Sequence, residues 1–215
     1  MKIKKLLFDF DGTLVDSMPA FSQAILRILD ENSIKYSDDI IKIITPLGSH
    51  ATVKYVQSLG LDMEFDTFMG KYYEYVVDRY RYEIPAKKFV IEVLKKLKEH
   101  GADLNVLTAS SHASLDPCLK RLGIFDLFTN VWSCDDFGTT KADPEIYKLA
   151  SAKMNAKLDE VLFLDDNLGA DTTAKKAGMK VCGVFDPFSS EYVKEMKQVC
   201  DYYINDFSEL IDIVL

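Results

Sequence analysis

The chain has 215 residues, of which 48% are hydrophobic and 28% are charged, and its formal net charge is −8. This composition predicts one large domain or a domain with an insertion, and it excludes a disordered protein. The negative charge and the lack of a Lys/Arg-rich block argue against nucleic-acid binding, and no apolar run approaches the length of a membrane span. The four cysteines form no CxxC pair, which favours reduced thiols and a cytoplasmic location. The apolar stretch near the N-terminus is short and ends at Asp9, so we expect no signal peptide.

A short apolar run at residues 6–8 predicts a buried parallel strand of an α/β sheet. Asp9 and Asp11 follow the run, and Gly12 then permits a tight turn with close approach of the backbone to a ligand. In open α/β sheets, ligands bind beyond the carboxyl ends of the strands. The pattern therefore predicts that both aspartates lie at a functional edge, although this stretch alone is also compatible with an ordinary capped turn.

The next block, residues 19–82, shows helical periodicity and few strand signals. Helices are predicted at residues 20–29, 38–44, 51–59 and 64–81, with a loop at 45–49. The tyrosine-rich part of this block is interpreted as packing of a small helical bundle, because aromatic side chains dominate cores; a substrate pocket is the alternative.

From residue 85 onward, helices and strands alternate. Helices are predicted at residues 87–100, 114–122, 144–154 and 170–177, and strands at 102–107, 130–133, 160–164 and 180–185. A further helix, a short strand at 202–204 and a last helix follow. This order predicts an α/β fold with a doubly wound, Rossmann-like parallel sheet. The core would comprise residues 1–16 and 85–215, and residues 17–84 would form a helical insertion over the carboxyl edge of the sheet.

Polar side chains follow three strands of this predicted sheet. Asp9 and Asp11 follow the strand at 6–8, Thr108 and Ser110 follow the strand at 102–107, and Asp165 and Asp166 follow the strand at 160–164. Crowded carboxylates are unfavourable unless a positive charge joins them, and oxygen ligands of this kind suit Mg²⁺. Lys141 lies in a loop that can reach the same edge. Carboxylates, a metal, a lysine and a hydroxyl together indicate phosphoryl transfer.

Four motifs in this order resemble those of the haloacid dehalogenase superfamily, in the branch whose helical cap is inserted after the first motif. They are DFDGTLVDS at residues 9–17, LTAS at 107–110, Lys141 followed by DPEIY at 143–147, and FLDDN at 163–167 followed by AGM at 177–179. The resemblance covers essentially the whole chain. Each motif alone is a weak signal, whereas all four at this spacing are very specific.

The resemblance implies the catalytic roles. Asp9 would attack phosphorus and form an aspartyl-phosphate. Asp11 would protonate the leaving oxygen and then activate water. Lys141 would pair with Asp9 and with the transferred phosphoryl group. Because members that cleave carbon–halogen bonds lack the second aspartate, Asp11 favours phosphate chemistry.

The resemblance also implies ligands for metal and substrate. Mg²⁺ would be held by the carboxylates of Asp9 and Asp166 and the backbone carbonyl of Asp11, with Asp165 in support. The phosphate would be bound by the side chain of Thr108 and the amide of Ala109, and Ser110 in the same loop is a further candidate for substrate binding. His50, in the predicted loop region of the cap, is a candidate for substrate contact, and an exposed loop histidine is the alternative.

Two positions depart from the family pattern. The third motif usually reads Lys-Pro, but Lys141 is followed by Ala142, so we expect a looser loop with its chemistry intact. Many relatives have an acid or amide four residues after the metal-binding aspartate, where this chain has Ala170, with Asp171 next. This leaves open which group supports the metal.

The expected function is Mg²⁺-dependent hydrolysis of a small phosphate monoester of the phosphoglycolate, sugar-phosphate or nucleotide type, by a monomer or homodimer. The first alternative is a sugar-phosphate mutase of the β-phosphoglucomutase kind. It is disfavoured because the linker after the first motif, residues 18–21, lacks the histidine that those enzymes have. The second is a phosphate-binding regulatory protein without turnover.

Overall fold

The structure, a computed structural model, describes residues 3–44 and 47–215. The chain divides into two compact units. The first comprises Met1–Asp16 and Ile84–Leu215, and the second comprises Ser17–Glu83. Within the described residues, no helix is both long enough and apolar enough to cross a membrane.

The first unit contains a six-stranded sheet in the order β3-β2-β1-β4-β5-β6, and all neighbouring strands are parallel. The strands are β1 Lys5–Phe8, β2 Asp103–Thr108, β3 Asn130–Ser133, β4 Val161–Asp165, β5 Lys180–Val184 and β6 Tyr202–Ile204. The predicted α/β fold with a doubly wound parallel sheet is confirmed. Since the strand order reverses between β1 and β4, the crevice at their carboxyl ends is the expected ligand site.

Six α-helices belong to the first unit as described. They are α5 Val90–Glu99, α6 His112–Arg121, α7 Pro144–Lys153, α8 Leu168–Ala177, α9 Val193–Val199 and α10 Leu210–Val214. Both α7 and α8 begin at side-chain caps: Asp143 accepts from the amide of Glu145, and Asn167 accepts from the amides of Gly169 and Ala170.

The core of the first unit is built on the sheet. The strand β4 is buried along its whole length, as expected when both faces of a parallel sheet are covered. Leu7 and Phe163 pack with Ile146 and Tyr147 of α7 and with Ala174 of α8. This packing places the ends of β1, β2 and β4 side by side.

One predicted helix begins later than expected. The sequence predicts a helix from Lys87, but α5 begins at Val90, because Phe89 adopts a left-handed backbone conformation with φ of 66°. Lys87 therefore lies in the segment before the helix.

The second unit is helical, with α1 Met18–Glu31, α2 Ile40–Ile44, α3 Ser49–Ser58 and α4 Phe65–Tyr82. Phe21 of α1 and Tyr80 of α4 pack edge to face, with ring centroids 6.5 Å apart. Tyr80 is buried whereas Tyr73 is exposed, so the packing interpretation applies to only part of the tyrosine-rich stretch. Of the loop predicted at residues 45–49, residues 45 and 46 lie outside the described residues and Ser49 already belongs to α3.

Candidate active site

Three acidic side chains meet at the carboxyl ends of β1 and β4. Asp9 directly follows β1, Asp165 ends β4, and Asp166 follows it. One carboxylate oxygen from each lies within 4.8 Å of the other two, and all three residues are buried. The amide of Asp9 donates to the carbonyl of Leu164 at 2.8 Å, which continues the pairing of the strands. The pairing of β1 with β4 therefore brings residues about 156 positions apart into one cluster.

Lys141 enters this cluster from the loop before α7. Its Nζ lies 2.5 Å from Oδ1 of Asp9 and 2.7 Å from Oδ2 of Asp165. Burial alone would lower the pKa of Lys141, but the Asp165 and Asp9 carboxylates outweigh it and raise that pKa well above the usual range. Lys141 is therefore a permanent cation at this edge.

One ammonium group faces three carboxylates in this cluster, and two of these carboxyl groups have raised pKa values. Burial raises the pKa of Asp9 well above its usual range, against the lowering effect of Lys141. Burial, followed by the Asp165 and Asp186 carboxylates, raises the pKa of Asp166 to about 7. Two negative charges are left uncompensated when all three carboxylates are ionised. Hard oxygen donors with this excess charge suit a divalent cation such as Mg²⁺.

The Lys141 loop is fixed at several points although Ala142 follows the lysine. Oγ1 of Thr139 lies 3.0 Å from Oδ2 of Asp143, the residue that caps α7. The hydroxyl of Tyr147 lies 3.1 Å from the carbonyl of Lys141 and 3.1 Å from that of Ala170. These contacts fix the loop in this chain, in which Ala142 stands where the family usually has proline.

The residues predicted at the end of β2 lie beside Asp11. The Ser110 hydroxyl donates to Oδ2 of Asp11 at 2.5 Å, and the amide of Ser110 donates to Oγ1 of Thr108 at 3.0 Å. Thr108 is buried and Ala109 is exposed. The sequence did not indicate the contact of Ser110 with Asp11, and a substrate contact by Ser110 stays a prediction.

The turn after Asp11 lies against Asp166. Gly12 has a φ of 73°, and a Cβ at this position would lie 2.5 Å from Oδ2 of Asp166. The hydroxyl of Thr13 donates to Oδ1 of Asp166 at 3.1 Å. Only glycine fits here, because both the backbone conformation and the close carboxylate exclude a side chain. Sequence reasoning expected this glycine to approach a ligand and missed Thr13 as a partner of Asp166.

Asp171 does not take the place of the family's acid at position 170. Its Oδ2 contacts Sγ of Cys200 at 3.2 Å, and its Oδ1 has no hydrogen-bond partner within the described part of the chain. Burial raises the pKa of Asp171 well above its usual range. The side chain is fully buried, and Asp171 is not a member of the acidic cluster of Asp9, Asp165 and Asp166, although the Asp165 and Asp166 carboxylates also raise its pKa.

Two histidines have protein contacts within the described residues. His50 lies in α3 and not in a loop as expected; it is exposed, and its ring stacks on Phe65 with centroids 4.1 Å apart. His112 lies at the start of α6, with Nδ1 2.8 Å from Asp116 and Nε2 2.9 Å from Asp136. A substrate contact by His50 stays a prediction.

Comparison with models of protein families identifies the family of this chain. The model described as haloacid dehalogenase-like hydrolase matches residues 6–184. The chain therefore belongs to the haloacid dehalogenase-like hydrolase family, as the four motifs predicted.

Curated relatives of the chain are named as phosphatases. Pyrophosphatase PpaX of Bacillus velezensis is 26% identical over 216 residues, which cover 99% of this chain and 96% of that protein. Glyceraldehyde 3-phosphate phosphatase of Pyrococcus furiosus is 26% identical over 228 residues, which cover 99% and 93% of the two chains. The similarity thus spans almost the full length of both proteins.

Solved structures share the fold. A protein of Thermotoga maritima, proposed to be a β-phosphoglucomutase, has a TM-score of 0.86 at 20% identity and covers 99% of this chain and 100% of its own. Bacillus subtilis YfnB bound to magnesium has a TM-score of 0.82 at 18% identity and covers 100% and 99%. Identities this low establish the fold and nothing finer.

Proposed function

We propose that this protein is a Mg²⁺-dependent phosphatase that hydrolyses a small phosphate monoester through an aspartyl-phosphate on Asp9. The main support is the buried cluster of Asp9, Asp165 and Asp166, with Lys141 bonded to two of the three carboxylates. Asp11 lies on the adjoining turn, and its carboxylate accepts a hydrogen bond from Ser110.

The acidic cluster fits a divalent cation. The carboxylates of Asp9 and Asp166 and the backbone carbonyl of Asp11 would hold it, with Asp165 in support. Bound Mg²⁺ would supply Lewis-acid neutralisation of charge on the transferred phosphoryl oxygens. The uncompensated charge of the cluster supports this assignment, and YfnB, which shares the fold, binds magnesium.

The side chains of this chain perform the proton and bond changes. A carboxylate oxygen of Asp9 forms a bond to phosphorus as the bond from phosphorus to the leaving oxygen breaks, and Asp11 gives that oxygen its proton. In the second step Asp11 takes a proton from water as the water oxygen bonds to phosphorus. The bond between Asp9 and phosphorus then breaks, which releases phosphate and restores both aspartates.

Three further groups would stabilise the transferred phosphoryl group. Lys141 offers a permanent positive charge next to Asp9. The hydroxyl of Thr108 accepts from the amide of Ser110, which leaves its hydrogen for a phosphate oxygen. The amide of Ala109, in the same exposed loop, is the third donor.

The substrate class follows from the relatives and from the proposed role of the second unit. The curated relatives described above are named for pyrophosphate and for a phosphorylated triose, so we propose a small phosphorylated metabolite for this chain. We also propose that residues 17–84 act as a cap that selects the substrate and excludes water, with His50 as a candidate contact.

The test is phosphate release from a panel of phosphorylated metabolites, with Mg²⁺ or with chelator. We expect metal-dependent release that falls at least about 1000-fold in Asp9→Asn, because that change removes the nucleophile. Acid quenching during turnover should trap phosphate on the wild-type protein and none on Asp9→Asn. A folded, metal-loaded protein that releases no phosphate from any substrate would refute the proposal. Sugar-phosphate isomerisation with little free phosphate would instead favour the mutase.

A further inference from the structure

Lys87 places a partly buried ammonium group between two loops of the first unit. Its Nζ lies 2.6 Å from the carbonyl of Gly12, 2.7 Å from the carbonyl of Phe185 and 3.0 Å from Oδ2 of Asp186. The side chain of Lys87 is 19% exposed and that of Asp186 is 1% exposed. An ammonium has three N–H donors, so these three acceptors use all of them.

The first acceptor belongs to the turn that contacts Asp166. Gly12 packs so closely on the Asp166 carboxylate that a Cβ would lie within 2.5 Å of its Oδ2. The next residue, Thr13, donates to Oδ1 of Asp166. Any displacement of this turn therefore moves the two groups that orient the Asp166 side chain.

The other two acceptors are held by the sheet and by a cap. Phe185 follows β5, and its amide donates to the carbonyl of Ile204 at 2.9 Å. Oδ1 of Asp186 accepts from the amide of Phe188 at 2.9 Å, which leaves Oδ2 for Lys87. Lys87 thus ties the Gly12 turn to a fixed point at the end of β5.

The backbone around Lys87 is anchored as well. Its amide donates to the carbonyl of Leu14 at 3.0 Å, and the amide of Asp16 donates to the carbonyl of Pro85 at 3.0 Å. The two segments that lead to and from the second unit are therefore paired, and Lys87 links that pair to the turn beside Asp166.

We propose that Lys87 is a positioning residue for the divalent metal: by holding the Gly12 turn against Asp166, it orients a metal-binding carboxylate that it does not touch. This inference rests on the metal site of the proposed function. Groups that orient a metal ligand contribute to metal affinity because they reduce the freedom of the ligand before the metal binds. The sequence alone did not suggest the role, since Lys87 appears there as one of several lysines of an amphipathic segment.

The experiment compares Lys87→Met with Lys88→Met. Lys88 is the adjacent, exposed lysine, whose Nζ lies 4.5 Å from the ring centroid of Phe89, so this variant removes the same charge outside the network. Mg²⁺ binding is measured by calorimetry without substrate, and Mg²⁺ half-saturation is measured in the phosphate-release assay. We expect Lys87→Met to bind Mg²⁺ about 10- to 100-fold more weakly, as for other groups that orient metal ligands. Lys88→Met should match the wild type.

A double variant separates positioning from folding. Lys87→Met leaves the buried Asp186 carboxylate unpaired, which can unfold the chain. Lys87→Met/Asp186→Asn removes that charge and retains an oxygen for the amide of Phe188. If the double variant regains wild-type thermal stability and still binds Mg²⁺ weakly, the positioning role is supported. If it binds Mg²⁺ like the wild type, the role is refuted.

Failure of this proposal is distinct from failure of the proposed function. Wild-type Mg²⁺ affinity in a folded Lys87→Met variant refutes the role of Lys87 even if the enzyme hydrolyses phosphate esters. Mg²⁺ binding that weakens in the variant supports it even if no phosphate is released from any substrate.

Discussion

Two charge networks in this molecule use the same kinds of side chain with opposite results. On the second unit, Glu31 accepts from the hydroxyl of Tyr75 and lies 3.1 Å from Nε of Arg27 and 3.9 Å from Nζ of Lys71. The hydrogen bonds from Tyr75 and Arg27 lower the pKa of Glu31. At the carboxyl edge of the sheet, burial raises the pKa values of Asp9 and Asp166 although Lys141 is present.

The difference is one of exposure and charge balance. The charged side chains Glu31, Arg27 and Lys71 are between 38% and 55% exposed, whereas Tyr75 is buried, so water and two cations satisfy one carboxylate. At the sheet edge, three buried carboxylates share one ammonium. The network around Glu31 pairs one carboxylate with two cations, whereas the cluster at the sheet edge has more carboxylates than cations. An ion pair alone is therefore no sign of a metal site, whereas a buried group of carboxylates in excess of its cations is a candidate for one.

The strongest test of this comparison removes one lysine from each network. Lys141→Met leaves buried carboxylates without their cation, which should cost about 3–5 kcal/mol of unfolding free energy in metal-free protein. It should also lower phosphate release about 100- to 1000-fold, because a donor to the transferred group is lost. Lys71→Met should leave both nearly unchanged, because the pair is exposed. Urea unfolding and phosphate release measure these effects, and equal losses in the two variants would contradict the comparison.

The second test adds one methyl group to each unit. Gly12→Ala and Gly60→Ala both place alanine at positive φ, with values of 73° and 107°, so both should lose about 1–2 kcal/mol of unfolding free energy. Only Gly12→Ala forces a methyl group onto the Asp166 carboxylate, whereas at Gly60 the nearest atom lies 4.0 Å away. Gly12→Ala should therefore also weaken Mg²⁺ binding about 10- to 100-fold. Similar Mg²⁺ affinity in the two variants would show that Gly12 does not support Asp166.

The third test uses Asp171, a buried carboxyl whose Oδ2 contacts the thiol of Cys200 and whose Oδ1 has no hydrogen-bond partner among the described residues. Because burial raises its folded-state pKa above the usual 3.8, its contribution to stability is complete at low pH and is lost as pH rises through that folded pKa. Asp171→Asn removes this loss and should be more stable than the wild type at pH 9 by about 1–3 kcal/mol. Near pH 4 the two should be similar. Urea midpoints at both pH values give the difference, and parallel pH profiles would refute the prediction.

The smallest effect is expected at His112, a half-exposed group in the first unit. Hydrogen bonds to Asp116 and Asp136 raise its pKa above the usual 6.5. Its stabilising effect is thus complete below pH 6.5 and is lost as pH rises through the folded-state pKa. Since the pairs are partly exposed, we expect less than about 1 kcal/mol between pH 6 and pH 9. His112→Gln should remove this component of the pH dependence, which urea unfolding at pH 6 and pH 9 would measure. A contribution from His112 well above about 1 kcal/mol would contradict the prediction that exposure limits it.

Much of the candidate site at the carboxyl edge of the sheet could be predicted from sequence. Each strand lies within one or two residues of its predicted position, because buried parallel strands produce short apolar runs bounded by turn residues. The motif order predicted Asp9, Asp165 and Lys141 at one edge. In the structure, Nζ of Lys141 lies within hydrogen-bonding distance of both carboxylates. Their catalytic roles stay predictions until activity is measured.

Sequence patterns by themselves indicated the succession of strands and helices along the chain and the residue types at the carboxyl edge, because periodicity and turn chemistry are local properties. The helical insertion stays a prediction. Tertiary structure alone decided which of those polar groups touch. It showed that Ser110 binds Asp11, and that Asp171, about 100° around α8 from position 170, contacts Cys200. It also joined Lys87 to Gly12 and Phe185, which are 75 and 98 residues away, and no local pattern encodes contacts over such separations.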